Sequence, residues 1–192
     1  MQSMTVPYPV DFDIDYPESR RNRLTTAFRA VLALPMLAVL TVFSGVLFVP
    51  PLLTIVFRQK YPRWWFDFNE AYLRFTNRVF AYVLLLRDEY PSTDEEQSVH
   101  LRLPYPDAQG ELNRWMPLVK WFLSIPHYVV LALLGVAAIF ATIAAWVMIV
   151  LTGRHPQGLF TFVVGVMRWH NRVVGYAFAL VSDQYPPFRL AR

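Results

Sequence analysis

The sequence predicts a mainly α-helical membrane protein built from a tandem duplicated unit of short β-strand, amphipathic helix, transmembrane helix and amphipathic return helix. The sum is about four membrane-embedded hairpin helices and a small cytoplasmic β-sheet. Three observations predict it: an apolar composition, two long uncharged runs, and a sequence that repeats itself. Of 192 residues, 55% are hydrophobic and only 17% charged, against roughly 25% charged in soluble domains. That balance excludes disorder. The absence of cysteine excludes a disulfide scaffold, thiolate catalysis and thiolate metal sites. The net charge of +4 comes almost wholly from arginine, since Lys60 and Lys120 are the only lysines. In a membrane chain such charge sets orientation and headgroup contact rather than nucleic-acid binding.

From Leu24 to Phe57 the only charge is Arg29, and from Trp121 to Gly153 only His127 titrates near neutral pH. Both runs exceed the roughly 20 apolar residues that a membrane crossing needs at 1.5 Å rise each. Met1 to Pro17 is polar, acidic and punctuated by proline, unlike the basic-then-apolar order of a signal peptide. Two further stretches, Trp64 to Leu86 and Leu159 to Val181, are long enough to cross but carry a polar stripe. Asp67, Glu70, Arg74, Asn77 and Arg78 share one helical face, as do Arg168, Asn171 and Arg172. Such helices either lie in the interface or cross with the stripe turned toward other helices.

The two halves of the chain match residue by residue. Val10, Phe12, Ile14, Tyr16 and Pro17 recur at Val99, Leu101, Leu103, Tyr105 and Pro106, a shift of 89. Asn22-Arg23, Arg29 and Pro35 recur at Asn113-Arg114, Lys120 and Pro126, a shift of 91. Pro62, Arg74, Asn77-Arg78-Val79 and Tyr82 recur at Pro156, Arg168, Asn171-Arg172-Val173 and Tyr176, a shift of 94. Asp88-x-Tyr90-Pro91 recurs at Asp183-x-Tyr185-Pro186, a shift of 95. The shift only grows, as small loop insertions produce.

The first unit, residues 1–92, is expected to hold a strand at 10–16, an interfacial helix at 19–34, a transmembrane helix at 36–57 and a return helix at 64–86. A linker at 93–98 leads to the second unit, residues 99–192, with a strand at 99–105, an interfacial helix at 108–125, a transmembrane helix at 128–152 and a return helix at 159–181. Alternation of apolar residues marks the strands. Pro35 and Pro126 mark the bends into the membrane, because proline removes a backbone donor. Pro50-Pro51 should break or bend the end of the first span.

Matching basic residues carry the same sign in both units, so the units share one orientation about an axis along the membrane normal. The two strands then pair antiparallel, and the tail 187–192 is placed to add a third. Four crossings are favoured. Arg58, Lys60, Arg63 and Arg154 then lie on the face opposite the strands, and the remaining loop charge favours both termini in the cytoplasm, while the cluster at Arg58 to Arg63 leaves the opposite orientation open.

The candidate site is the repeated Arg-x-x-Asn-Arg face: Arg74, Asn77 and Arg78 with Arg168, Asn171 and Arg172. Two guanidiniums one turn apart with an amide between them suit bidentate contact with the phosphate of an anionic lipid headgroup. The same groups suit a structural role at helix ends or against Asp67 and Glu70. Arg23, Arg29, Arg114 and Lys120 on the wet side, with Trp64 and Trp65, are the expected interface anchors. Ala137, Ala141 and Ala145 permit close helix contact. His100, His127, His155 and His170 show no ligand spacing, so no metal or cofactor is predicted.

The segments Val-x-Leu-x-Leu-Pro-Tyr-Pro at 99–106, Leu-Val-Lys-Trp-Phe-Leu-Ser-Ile-Pro-His-Tyr at 118–128, Thr-Gly-Arg-His-Pro-Gln-Gly-Leu-Phe at 152–160, Arg-Trp-His-Asn-Arg-Val at 168–173 and Asp-Gln-Tyr-Pro-Pro-Phe at 183–188 resemble the bacterial membrane-protein family known as domain of unknown function 4389. The first unit departs from that pattern at Asp88-Glu-Tyr-Pro-Ser92. The resemblance implies a fold and a location, the bacterial cytoplasmic membrane, but no activity. The functional expectation is a non-enzymatic assembly or scaffold subunit whose partners are anionic lipid headgroups and a membrane protein or a second copy. The alternative is a small transporter or channel formed by the two-fold bundle, with the four arginines facing an anion cavity.

Overall fold

The computed structural model describes residues 8–43, 48–93 and 95–192. In chain order these form β1 (Asp11–Ile14), α1 (Arg23–Ala27), α2 (Arg29–Phe43), α3 (Val49–Arg58), α4 (Arg63–Val83), β2 (Val99–Arg102), α5 (Met116–Leu123), α6 (Ile125–Thr152) and α7 (Gln157–Ala177). Capping chemistry sets many of the ends. Asn22 accepts from the backbone N–H groups of Leu24 and Thr25 to start α1. Extended Pro62 and Pro156 precede α4 and α7. Gln59 and Gly153 adopt left-handed conformations that close α3 and α6.

β1 and β2 pair antiparallel with Phe12 opposite Leu101, Asp11 opposite Arg102 and Asp13 opposite His100. The shift of 89 carries Phe12 onto Leu101 and exchanges the two flanking pairs, so a local two-fold passes through Phe12 and Leu101. Apolar residues Val10, Phe12, Ile14, Val99, Leu101 and Leu103 point inward and are buried, while Asp11, His100 and Arg102 are exposed. The inner face packs crosswise. β1, from the first half, lies on α7, and β2, from the second, lies on α4. A two-stranded sheet is marginal alone, and these two helices are its support. On the far side α2 packs on α4 and α6 packs on α7, each pair forming a helical hairpin within its own half.

α7 is the central element, buried on nearly every side from Phe160 to Ala177. α6 differs sharply. Only His127, Ala138, Ala141, Ala145 and Ile149 are buried along its 28 residues, a narrow stripe of mostly small side chains that lets α7 approach. The close-packing stripe therefore runs through Ala138, with Ala137 exposed.

Several expectations change. Among the described helices, α6 alone is long and apolar enough to cross a membrane. The expected span 36–57 falls on two shorter helices, α2 and α3, with residues 44–47 outside the described residues. Pro50 and Pro51 start α3 rather than bending the end of a longer helix. Pro35 lies inside α2, and the break expected there falls earlier, at Phe28, the C-cap of α1. The expected interfacial helix 108–125 is helical at α5, Met116–Leu123, and at Ile125, where α6 begins. The tail forms no strand among the described residues; arginines of α7 hold its carbonyl groups instead. Residues 57–63 and 153–156, expected opposite the strands, lie against their ends. Tyr16 Oη donates to the carbonyl of His155 and Tyr105 Oη to that of Tyr61, each at 2.6 Å. The reason is the crosswise packing, which brings each strand's closing tyrosine to the turn of the opposite hairpin.

At Gly175 the strand comes so close that an added Cβ would lie 2.6 Å from Val10 Cγ2. Val10 is buried and β-branched, so it cannot swing aside without moving β1. Gly175→Ala should therefore destabilise the fold by about 1–3 kcal/mol. Gly158→Ala, where nothing lies within 4 Å, should be neutral or stabilising by up to about 1 kcal/mol. Thermal unfolding of the two variants in detergent checks the contrast.

Candidate functional site

The polar stripes of α4 and α7 face the sheet. Arg74 Nε donates to the carbonyl of Leu101 at 3.1 Å, and Arg168 Nε to the carbonyl of Phe12 at 3.0 Å. The two arginines thus hold opposite members of the central strand pair, each across to the other half of the chain. Arg74 also bonds Glu70, one turn back on its own helix, at 2.8 Å. Arg168 also bonds Asp13 at 2.8 Å and the carbonyl of Leu190 at 2.9 Å.

Between these arginines lies a reciprocal amide pair. Asn77 Nδ2 donates to Asn171 Oδ1 at 2.8 Å, and Asn171 Nδ2 donates to Asn77 Oδ1 at 2.7 Å. Each amide also donates to the carbonyl four residues back, Leu73 or Met167. Both asparagines are buried, and the pair maps onto itself under the shift of 94. The two-fold that passes through Phe12 and Leu101 therefore also passes through the contact of α4 and α7. Arg78 donates to the carbonyl of Ser92 at 2.6 Å, and Arg172 to those of Arg189 and Ala191. All six residues of the predicted anion face are thus brought to one layer, and each spends donors on this chain's own acceptors. Burial pushes the guanidiniums of Arg168 and Arg172 below the usual arginine range.

A second pair of ionic contacts ties the helix ends. Arg29 and Lys120 were expected on the wet side, yet both are almost fully buried. Arg29 bonds Asp88 and the carbonyl of Arg87, with its guanidinium 4.6 Å above the Tyr82 ring. Lys120 Nζ lies 2.6 Å from Asp183 and 2.9 Å from the carbonyl of Ser182, 5.1 Å above the Tyr176 ring. Their partners are the aspartates of the repeated Asp-x-Tyr-Pro. The recurrence of a cation and a carboxylate at matching positions in the two halves is the sequence signal for these pairs. Burial lowers the Lys120 ammonium, and Asp183 partly offsets that. Arg21 joins the first cluster through Asp88 and the carbonyls of Leu85 and Leu86; burial brings it down to about 10, still charged at neutral pH. The corresponding position in the second half is Leu112, also buried.

The other anchors divide. Arg23 and Arg114 are exposed, and Arg114 donates to the carbonyl of Phe57 at 3.2 Å. Trp64 is exposed, but Trp65 packs partly buried against the core. Among the described residues the exposed side chains of Arg20, Arg23, Arg58, Lys60, Arg102 and Arg154 make no hydrogen bond or ion pair within the chain. His127 has a structural role that its spacing in the sequence does not signal. It is fully buried, accepts from Trp169 Nε1 at 3.0 Å and stacks on Phe188 at 4.0 Å. Its counterpart in the first half is Met36. The histidine thus pins the tail that follows Asp183.

Among the described residues no three His, Asp or Glu side chains gather to hold a metal. The family model described as "Domain of unknown function (DUF4389)" matches residues 114–189. That segment belongs to this family. No curated protein and no solved structure matches the chain. The DUF4389 segment holds α5, α6, α7 and most of the tail, including Lys120, His127, Arg168, Asn171 and Arg172. Its partners Asp13, Phe12 and Asn77 lie outside it, so this part of the fold is completed by residues 8–113.

Two outcomes follow from this geometry. Asn77→Leu leaves the buried Asn171 amide without its partner and should destabilise by about 1–3 kcal/mol. Asn77→Leu with Asn171→Leu should cost less than the two single variants together, by about 1 kcal/mol or more; denaturation of all four proteins in one detergent measures the coupling. Burial holds the imidazole of His155 below its usual 6.5. The folded state then binds fewer protons than the unfolded chain, so stability is full above 6.5 and falls with pH below it. Melting temperature should drop less in His155→Gln than in the parent over that acid range.

Proposed function

We propose that the protein is an integral membrane protein, duplicated in tandem, that acts as a non-enzymatic assembly or scaffold subunit in contact with anionic lipid headgroups. One observation carries the membrane reading: only 17% of the most apolar stretch of α6 is buried. A core helix of a soluble protein would be mostly covered, whereas here Leu133, Ile139, Phe140 and Leu151 are each more than half exposed, and exposed apolar faces of this extent mark contact surfaces. The duplication is supported by contacts that recur in corresponding pairs, from Arg74 and Arg168 on the strands to Tyr16 and Tyr105 on the turns.

For the headgroups we favour the exposed cations Arg23, Arg58, Lys60 and Arg154 over the Arg-x-x-Asn-Arg faces, where each arginine already gives at least one donor to this chain's own acceptors. The same engagement weighs against a transporter, which needs Arg74, Arg78, Arg168 and Arg172 to face an anion path. After alkaline carbonate extraction the protein should stay with the membrane fraction; release into the supernatant overturns the membrane reading. Each surface cation is worth about 1 kcal/mol against an anionic leaflet. Arg58→Glu, Lys60→Glu and Arg154→Glu together should therefore strip anionic lipid from the detergent-purified protein, as native mass spectrometry reads. Arg168→Gln with Arg172→Gln should keep the lipid and lower the melting temperature. Anion flux through proteoliposomes would overturn the scaffold in favour of the transporter.

A further inference from the structure

We infer that the protein sits in a single leaflet, with its helices lying along the membrane plane and the sheet in water, and that no described helix crosses the bilayer. This rests on the membrane reading and adds its geometry.

The chain from Tyr8 to Tyr16 runs lengthwise along α7. Val10 meets Gly175, the carbonyl of Phe12 meets Arg168, and Tyr16 meets Phe160 and His155. β2 runs the same way along α4, from the carbonyl of Leu101 at Arg74 to Tyr105 at Phe66 and Tyr61. The axes of α4 and α7 are therefore parallel to the plane of the sheet. If these helices crossed the bilayer, the sheet would lie at membrane depth with Asp11, His100 and Arg102 exposed on its outer face. Charged groups facing hydrocarbon cost several kcal/mol each, so α4 and α7 lie flat.

α6 follows α7. Its Tyr128 ring faces Phe178 and its His127 bonds Trp169 near one end, while Gly153 turns into α7 at the other. Both ends of α6 are tied to the same polar layer. Just before the start, Lys120 pairs with Asp183 and the carbonyl of Leu123 accepts from Tyr185. Just after the end, the carbonyls of Gly153 and His155 accept from Arg21 N–H and Tyr16 Oη. One extended segment spans the distance, because Tyr8 Oη donates to the carbonyl of Gln184 while Tyr16 reaches His155. A helix crossing the bilayer puts its two ends on opposite sides, and a single water-facing strand cannot touch both.

The remaining surface completes the seat. Outward side chains of α5 and α6 such as Phe122, Leu133, Phe140 and Leu151 are apolar and exposed. The unpaired cations Arg23, Arg58, Lys60 and Arg154 stand at the turns beside the strand ends, where headgroups would be. A helix is about 10 Å across, and one leaflet of a bilayer with a hydrocarbon core of about 30 Å is deep enough for one layer of them. The occupant of the apolar face is thus the acyl region of one leaflet, and the two-fold runs along the membrane normal.

The chain has no cysteine, so single reporters can be placed at the exposed positions Asp11, Lys60, Gln109 and Arg154. Asp11→Cys, Lys60→Cys, Gln109→Cys and Arg154→Cys are each treated with a membrane-impermeant maleimide in right-side-out and inverted vesicles. All four should react from the same face and be protected from the other, and all should react after detergent is added. Reaction of Lys60→Cys and Arg154→Cys from the face opposite Asp11→Cys and Gln109→Cys overturns the single-leaflet seat and restores four crossings. Recovery of the parent protein away from vesicles on flotation, as a soluble oligomer covering the apolar face, overturns the membrane reading itself.

Discussion

A chain with so apolar a surface must give every buried cation a partner from its own backbone or carboxylates, and that requirement organises the structure. Arg74 and Arg168 meet it by reaching across the two-fold to the carbonyls of Leu101 and Phe12. Each half therefore completes the other, since neither strand has a polar anchor within its own half at that position. The Asn77 and Asn171 amides fix the register of the same crossing. An offset of one residue along either helix would leave buried donors and acceptors without partners, which costs more than the bonds themselves contribute. Ion pairs taken out of water are weak sources of net stability. Here their effect is to select one arrangement of two nearly equivalent hairpins.

The same requirement explains how much of the fold could be read from the sequence. The alternation at Val10–Tyr16 and Val99–Tyr105 placed both strands, and their antiparallel pairing followed from the repetition. The return helices were legible because polar residues recur on one face from Asp67 to Arg78. The break at Phe28 was not, because Pro35 is tolerated within α2 and no glycine or proline marks the true end of α1. The wet-side reading of Arg29 and Lys120 failed for a more general reason. Periodicity tells which face a residue occupies, but not whether an aspartate more than fifty positions later returns to that face.

The candidate site shows a similar division. Residue type and spacing put each Arg-x-x-Asn-Arg trio on one face of its own helix, because helical geometry is local, but carried no sign that the two faces meet through Asn77 and Asn171. Their ligands were not legible. The carbonyls of Leu101, Phe12, Ser92 and Arg189 carry no signature in the side-chain sequence; crossed packing brings the first two within reach, and the chain's return past the helix end brings the other two. His127 was missed because a lone histidine in an apolar run has no sequence signal. Its Trp169 and Phe188 partners lie 42 and 61 positions away.

Crossed packing also bears on what the molecule can do. A transport path along the two-fold would pass between Phe12 and Leu101 and then between Asn77 and Asn171, and both points are closed by direct contact. Opening them would strip the paired amides and the strand carbonyls of their donors together, so no small hinge motion suffices. A body that is closed on its axis, polar above and apolar below, is suited instead to holding a position at the membrane surface. The strands of the sheet are four residues long and carry polar or charged side chains, Asp11 and Asp13 on one and His100 and Arg102 on the other. Short charged edges resist further strand pairing, so a partner of the proposed scaffold is expected to bind the polar face through its charges rather than by extending the sheet.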